Sequence, residues 1–417
     1  MRVSRRAVLL AADSPAIADA HFRAQADPYH PERNPGGYLN LGTAENRLMW
    51  DQLAPRLTAA RPVRAEDTCY GPLHGTESLR TAIAALLGRS WRSWVDPEDL
   101  VVLSGATGAL DVIASVLCDP GDGIVVPAPY YSALDVDLVG RSGARLIPVP
   151  QEPAAGFRLD PAVIDRALCD AARDGVRVRA VAVTSPDNPA GHVYPARTLR
   201  ELSEVAAGHD VDLIVDEIYA HSVFGQGSFV GVRDPAVAGR HAERTHVVWG
   251  FAKDFALSGL KAGVLHTVHP QVRAAARALA YFAPVSTDTQ ALLRELLAGQ
   301  GWVERFLAEH RARLRASYQR AAALLAEADI PFVPAGAGFS VWADLSRWLP
   351  AAGVEGEERL WREIGEATRV NILPGAVFGC AVPGWFRICH TTDPAVVRTG
   401  LTRLGAHLAG VPGGVRA

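Results

Sequence analysis

The chain has 417 residues, of which 49% are hydrophobic and 21% charged, and a formal net charge of −3. That length builds two or three core-forming units, and the near-balanced charge supplies neither a basic field for nucleic acid nor an acidic tail. The expected partners are therefore small molecules, with no nucleic acid and no membrane.

In chain order, the start MRVSRRAVLLAADSPA pairs arginines with an apolar run, but that run is six residues long and ends at Asp13. A signal core needs about 7–15 apolar residues, so the segment reads as part of an N-terminal arm, residues 1–60, that packs with a small domain. From about residue 99, short apolar runs alternate with helical periodicity: DLVVLSG, GIVVPAP, RLIPVP, RAVAVTSP, VDLIVDE, HVVWGF and AGVLHTV. Runs apolar on both faces suit strands covered on both sides. Helices such as TGALDVIASVL and ARTLRELSEVAAGH lie between them, so residues 61–290 read as an α/β domain around a mostly parallel, seven-stranded sheet. After about residue 285 a long helix around GWVERFLAEHRARLRASYQRAAALLAEA leads to the short strands IPFVPAG, GFSVWADL, VNILPG and GWFRICHTT, then a closing helix. These form a smaller α+β domain, residues 291–417, with GVPGGVRA as a tail. No run approaches the roughly 18 apolar residues of a membrane helix.

The five cysteines are scattered and odd in number, and HAERTH lacks the His-Glu-x-x-His interval. A reduced, cytoplasmic protein without a metal centre is the reading.

Ligands of open α/β sheets bind at the carboxyl ends of the strands. DLVVL ends before Ser104, Gly105, Ala106 and Thr107, a strand-to-helix turn whose backbone amides and Thr107 hydroxyl suit a phosphate. GIVVPAP ends at Tyr130 and Tyr131, an aromatic face for a flat ring, and RAVAVTSP runs into Asn188, a donor or a turn residue. VDLIVDEIY ends at Asp216, Glu217 and Tyr219. A carboxylate at the end of a buried strand calls for a cation, and the protonated ring nitrogen of pyridoxal 5'-phosphate (PLP) would be one. HVVWGF empties into Lys253, a lysine among small and apolar residues, suited to Schiff-base chemistry.

With these residues in this order, the sequence resembles the fold-type I PLP enzymes of the aminotransferase class I/II family. Within them it is most similar to the 1-aminocyclopropane-1-carboxylate (ACC) synthases, through DPYHPERNPGGYLNLGTAENRL, YGPLHGTESLR, SGATGA, PAPYYSALDVDL, DEIYAHSVF and PGWFRIC. The resemblance implies PLP on Lys253, which also moves the α-proton. It further implies Asp216 at the ring nitrogen, Asn188 and Tyr219 at the ring hydroxyl, and Tyr131 stacked on the ring. Gly105, Ala106 and Thr107 would lie at the phosphate, and Tyr70 would reach the phosphate of a second subunit in a homodimer. Arg387 would grip the substrate carboxylate, and Glu45 would lie near the substrate.

Lys261 stands where the family usually carries a phosphate-binding arginine, Gly250 and Ala252 stand where serines commonly flank the lysine, and Leu73 replaces a common tyrosine. A lysine keeps the charge but not the bidentate fork. More of the phosphate's hold then falls on the helix N-terminus, a contribution of about 0.3–2 kcal/mol. The function implied is loss of methylthioadenosine from S-adenosylmethionine, followed by ring closure or by γ-replacement with a second small molecule. The alternatives are an ordinary aminotransferase and a non-catalytic ligand-binding module.

Overall fold

The computed structural model describes residues 16–59, 64–239 and 241–410, with Val3 and Val8. Nearly all of the arginine-rich start and the residues of the tail after Gly410 lie outside the described residues.

The chain divides into two compact units, one of residues 45–315 and 335–338, the other of 1–44, 316–334 and 339–417. The larger unit is built on a seven-stranded sheet. Its strands are β1 (Leu100–Leu103), β2 (Gly123–Ala128), β3 (Arg145–Pro150), β4 (Val178–Thr184), β5 (Asp212–Asp216), β6 (Thr245–Gly250) and β7 (Gly263–His266). They lie side by side in the order β1, β7, β6, β5, β4, β2, β3. Only β7 runs against its two neighbours; the other pairs are parallel.

The apolar runs are explained by the two cores that flank this sheet. Leu213, Val215 and Val247 bury into one cluster, whereas the alternating Ile214 and Val248 bury into the other. Side chains on successive strand residues point to opposite faces, so a strand between two cores carries apolar residues at every position. Helices α1 (Gly105–Leu117), α2 (Pro161–Arg173) and α3 (Ala196–Gly208) cover the faces. The parallel strands gather their carboxyl ends along one edge, where Leu103, Thr184, Asp216 and Gly250 end their strands. The turn α4 (Phe251–Asp254) follows β6 directly.

The smaller unit holds a four-stranded antiparallel sheet of β8 (Phe332–Val333), β9 (Ser340–Asp344), β10 (Leu373–Pro374) and β11 (Trp385–Cys389), in the order β10, β11, β9, β8. Leu39 and Asn40 pair in parallel with Val370 and Asn371. The core of this unit joins Leu39, Val341, Leu360, Phe386 and Leu404. Helix α5 (Gln300–Glu327) contains the point, after Arg315, at which the chain passes from one unit to the other. None of the helices among the described residues is long and apolar enough to cross a membrane.

Candidate active site

At the carboxyl edge of the large sheet, a cavity of about 150 Å³ is lined by Gly105, Ala106, Thr107, Tyr131, Asn188, Asp216, Tyr219, Lys253 and Lys261. Residues from five separate strand ends are thus brought together. Thr184, Asp137 and Ser258 also line it, and the sequence reading did not single them out.

One end of the cavity is made by the first turn of α1. Ser104 precedes it without a side-chain capping bond, so the first amides of the helix have no side-chain oxygen from that residue. Gly105 has φ +82°, a left-handed conformation that favours glycine. Neighbouring β7 comes so close that a Cβ on Gly263 would stand 2.5 Å from the Gly105 carbonyl carbon and 2.6 Å from the Ala106 nitrogen. The ammonium of Lys261 hangs over this turn: a Cβ on Gly105 would lie 3.8 Å from its Nζ. The Thr107 hydroxyl donates to Asp137 Oδ2 at 3.3 Å. Burial raises the Asp137 carboxyl to about 6, partly offset by the Thr107 hydroxyl and the Lys261 charge.

At the end of β5, strand alternation sends two adjacent acids to different surroundings. Asp216 lines the cavity and its carboxylate accepts the Ile218 N–H at 3.1 Å. Burial pushes it up to about 7, against the pull of that amide and of the Lys253 charge. Glu217 accepts Trp91 Nε1–H at 2.6 Å and Val232 N–H at 2.7 Å. It is a buried structural carboxyl, which burial raises to about 8.

Lys253 stands on α4, and its neighbour Asp254 anchors that turn. Asp254 accepts the Trp249 Nε1–H at 3.0 Å, the His221 backbone N–H at 3.1 Å and the Ser222 hydroxyl at 2.7 Å. With its hydrogen given to Asp254, Ser222 Oγ accepts from His310 Nε2 at 3.0 Å, and His310 Nδ1 accepts from Asn46 Nδ2 at 3.0 Å. The chain of bonds is consistent in direction only with an imidazole protonated on Nε2, and burial lowers His310 to about 3, so it is neutral. This chain ties the lysine turn to the segment that carries Glu45. Glu45 itself accepts Ser258 Oγ at 2.9 Å and Arg47 Nε at 2.9 Å. Burial pushes its carboxyl up, but the Ser258 and Arg47 bonds and the Lys253 charge together hold it below its usual value.

Of the adjacent tyrosines, Tyr130 is buried, with its hydroxyl 3.3 Å from Asp135 Oδ2, while the half-buried Tyr131 lines the cavity. Three expected site residues, Arg387, Tyr70 and Glu45, are not among those lining the cavity; Glu45 reaches it through Ser258. Arg387, on β11, is buried, donates to the Gly42 carbonyl at 2.8 Å and lies 4.8 Å over the Phe378 ring. Tyr70 is fully exposed, at 106%.

A lysine on the turn after a strand, a buried aspartate at the end of the strand paired beside it and a helix N-terminus at one cavity define a fold-type I PLP-dependent enzyme, and aminotransferases and ACC synthases of this fold use PLP. The chain belongs to the aminotransferase class I and II family, whose model matches residues 37–404. It is 36% identical to 1-aminocyclopropane-1-carboxylate synthase 3 of Oryza sativa subsp. japonica over 93% of this chain and 92% of that protein. With 1-aminocyclopropane-1-carboxylate synthase 6 of the same plant it shares 35% identity over 89% of this chain and 72% of the relative. Among solved structures, an aspartate aminotransferase from Thermus thermophilus, with maleate, matches at TM-score 0.81 and 27% identity, covering 97% of this chain and all of that one.

The residues present fit the cofactor. A buried carboxylate raised to about 7 is costly beside an empty apolar wall and favourable beside a pyridinium. The amides at the start of α1 and the Lys261 ammonium offer a phosphate a cradle, and a Cβ on Gly105 would intrude between them, 3.8 Å from the Lys261 Nζ.

Proposed function

We propose that this protein acts on S-adenosylmethionine, removing the α-proton and breaking the Cγ–S bond so that methylthioadenosine leaves. Cα then either closes on Cγ, as in ACC synthesis, or Cγ is taken by a second small molecule. When bound, PLP supplies the electron sink for the carbon that loses its proton.

The chain's own residues divide the remaining work. Lys253 carries the cofactor, and its amine, once free, takes the Cα proton. Asp216 holds the ring nitrogen protonated, Asn188 and Tyr219 serve the ring oxygen, and Tyr131 covers the ring face. Gly105, Ala106, Thr107 and Lys261 hold the phosphate, and Arg387 takes the substrate carboxylate in a bidentate pair. A homodimer in the cytoplasm, with Tyr70 of each chain directed to the partner's phosphate, belongs to the same reading.

The observation that carries the choice of substrate is Glu45. Its carboxylate is fixed by Ser258 and Arg47 within the field of Lys253 and kept ionised. A fixed anion beside the reacting lysine suits a substrate that brings a second positive charge, as a sulfonium does. Identity of 35–36% to ACC synthases supports the same choice.

The purified holoenzyme is to be incubated with S-adenosylmethionine and the products followed by mass spectrometry. Methylthioadenosine, formed in step with ACC or with an adduct of an added nucleophile, is the expected result. Amino transfer from an added amino acid to 2-oxoglutarate, the donor becoming its 2-oxo acid while S-adenosylmethionine stays intact, would establish the aminotransferase in its place.

A further inference from the structure

On α2, Asp165 and Cys169 lie four residues apart, so both side chains leave one face of the helix a turn apart. His209, which closes α3, reaches the same place, with its Nε2 2.7 Å from Asp165 Oδ1. One donor atom from each of Asp165, Cys169 and His209 lies within 4.8 Å of the other two. The backbones beneath them are anchored: Ile164, Leu168 and Ala171 of α2 and Leu199, Leu202 and Ala206 of α3 are buried. Asp165 and His209 are half-buried and Cys169 is exposed. The donors therefore stand on a firm base with one side open to solvent. None of the three lines the cofactor cavity.

We propose that Asp165, Cys169 and His209 form a binding site for a borderline-soft divalent cation of the Zn²⁺ class, with water in the fourth position. A thiolate, an imidazole and a carboxylate are the donor types that such ions take, whereas Mg²⁺ and Ca²⁺ require oxygen ligands. The charges balance: a thiolate and a carboxylate neutralise the cation, and the imidazole stays neutral. Binding releases the thiol proton to solvent. Bond lengths of about 2.0–2.3 Å in a tetrahedron separate the ligand atoms by roughly 3.3–3.6 Å. The Asp165–His209 contact must therefore open by less than about 1 Å, within the reach of half-exposed side chains. The site would staple the end of α3 to α2. No sequence spacing announces it, because the histidine lies 44 residues from the aspartate.

The test uses the PLP-loaded protein, dialysed against Zn²⁺ and desalted, with bound zinc measured by elemental analysis and affinity by calorimetry. Cys169→Ser and His209→Asn remove one ligand each, and Cys69→Ser is the control at the other exposed thiol among the described residues. PLP itself can chelate metal, so cofactor absorbance is followed in parallel and zinc X-ray absorption reads the ligand atoms directly. The expected result is one zinc per chain with one sulfur at about 2.3 Å and at least tenfold weaker binding in both ligand variants. The Cys69→Ser protein should bind as wild type, and cofactor absorbance should be unchanged throughout. Zinc should also raise the thermal midpoint of the wild type but not of Cys169→Ser. Wild-type affinity in Cys169→Ser, a shell without sulfur, or no zinc retained would reduce the cluster to an Asp165–His209 ion pair beside a bystander thiol.

Discussion

In the proposed function, Lys261 decides how firmly the phosphate is held. Its backbone is left-handed, with φ +48°, and that turn carries the side chain over Gly105 at the start of α1. A compact ammonium there acts as a point charge, where a guanidinium would make a two-pronged contact. A charge-assisted hydrogen bond contributes about 1.5–3 kcal/mol. Lys261→Ala should therefore lose PLP on dialysis roughly 10- to 100-fold faster, while Lys261→Arg should retain it longer than wild type. The fraction of cofactor retained against time, for the three proteins side by side, is the measurement; equal retention by wild type and the alanine variant would remove Lys261 from the phosphate site. The cavity residues were legible one by one because the carboxyl ends of parallel strands must meet at one edge. Ser258 and the chain from Asn46 through His310 and Ser222 to Asp254 were not. The Asn46–His310 bond spans 264 residues, and nothing in the composition around either residue marks the pairing.

At the scale of single elements, β5 shows how one strand end serves both chemistry and stability. Asp-Glu reads in sequence as two equivalent acids, and only the alternation of faces separates them. Glu217 goes to Trp91 and Val232 in the core. Its carboxyl is raised by burial to about 8, so the folded protein binds a proton there that the unfolded chain releases near its ordinary pKa of about 4.3. Between these two values the folded state holds more protons than the unfolded one, and the group's contribution to stability falls as pH rises, by up to about 1.4 kcal/mol per pH unit. Glu217→Gln cannot titrate and should flatten the decline in urea midpoint between pH 5 and 8. It should also cost about 1–3 kcal/mol at pH 5, because an amide places its NH₂ against one of the two donors. Parallel profiles for the two proteins would show that Glu217 keeps one charge state throughout. The strands themselves were legible from their two-sided apolar runs, a pattern that follows from lying between two cores.

For the whole molecule, the division of the chain was less legible than the sheet. Packing changes after Arg315, inside α5, where one helix continues without a break. The exposed aromatics carry the last prediction. Tyr70 is fully exposed, and Tyr281 and Phe282, an edge-paired couple with ring centroids 5.2 Å apart, are 65% and 68% exposed. The segment before Tyr70 is fixed in place, since the Thr287 hydroxyl donates to the Asp67 carbonyl. An exposed tyrosine with an apolar body and a polar tip is the kind of side chain that interfaces bury. Sedimentation of the holoenzyme should therefore show a dimer. Tyr70→Phe should keep that dimer while losing PLP faster, because the ring would still pack and, in the proposed function, only the hydroxyl directed to the partner's phosphate is gone. The decisive experiment mixes two inactive proteins, Lys253→Ala and Tyr70→Ala, under conditions that let subunits exchange. Each mixed dimer would hold one intact site, built from the lysine of one chain and the tyrosine of the other. Random exchange makes half of the dimers mixed, so activity should return to about a quarter of wild type. No recovery despite demonstrated exchange, or a fully active monomer, would show that Tyr70 serves no site but its own.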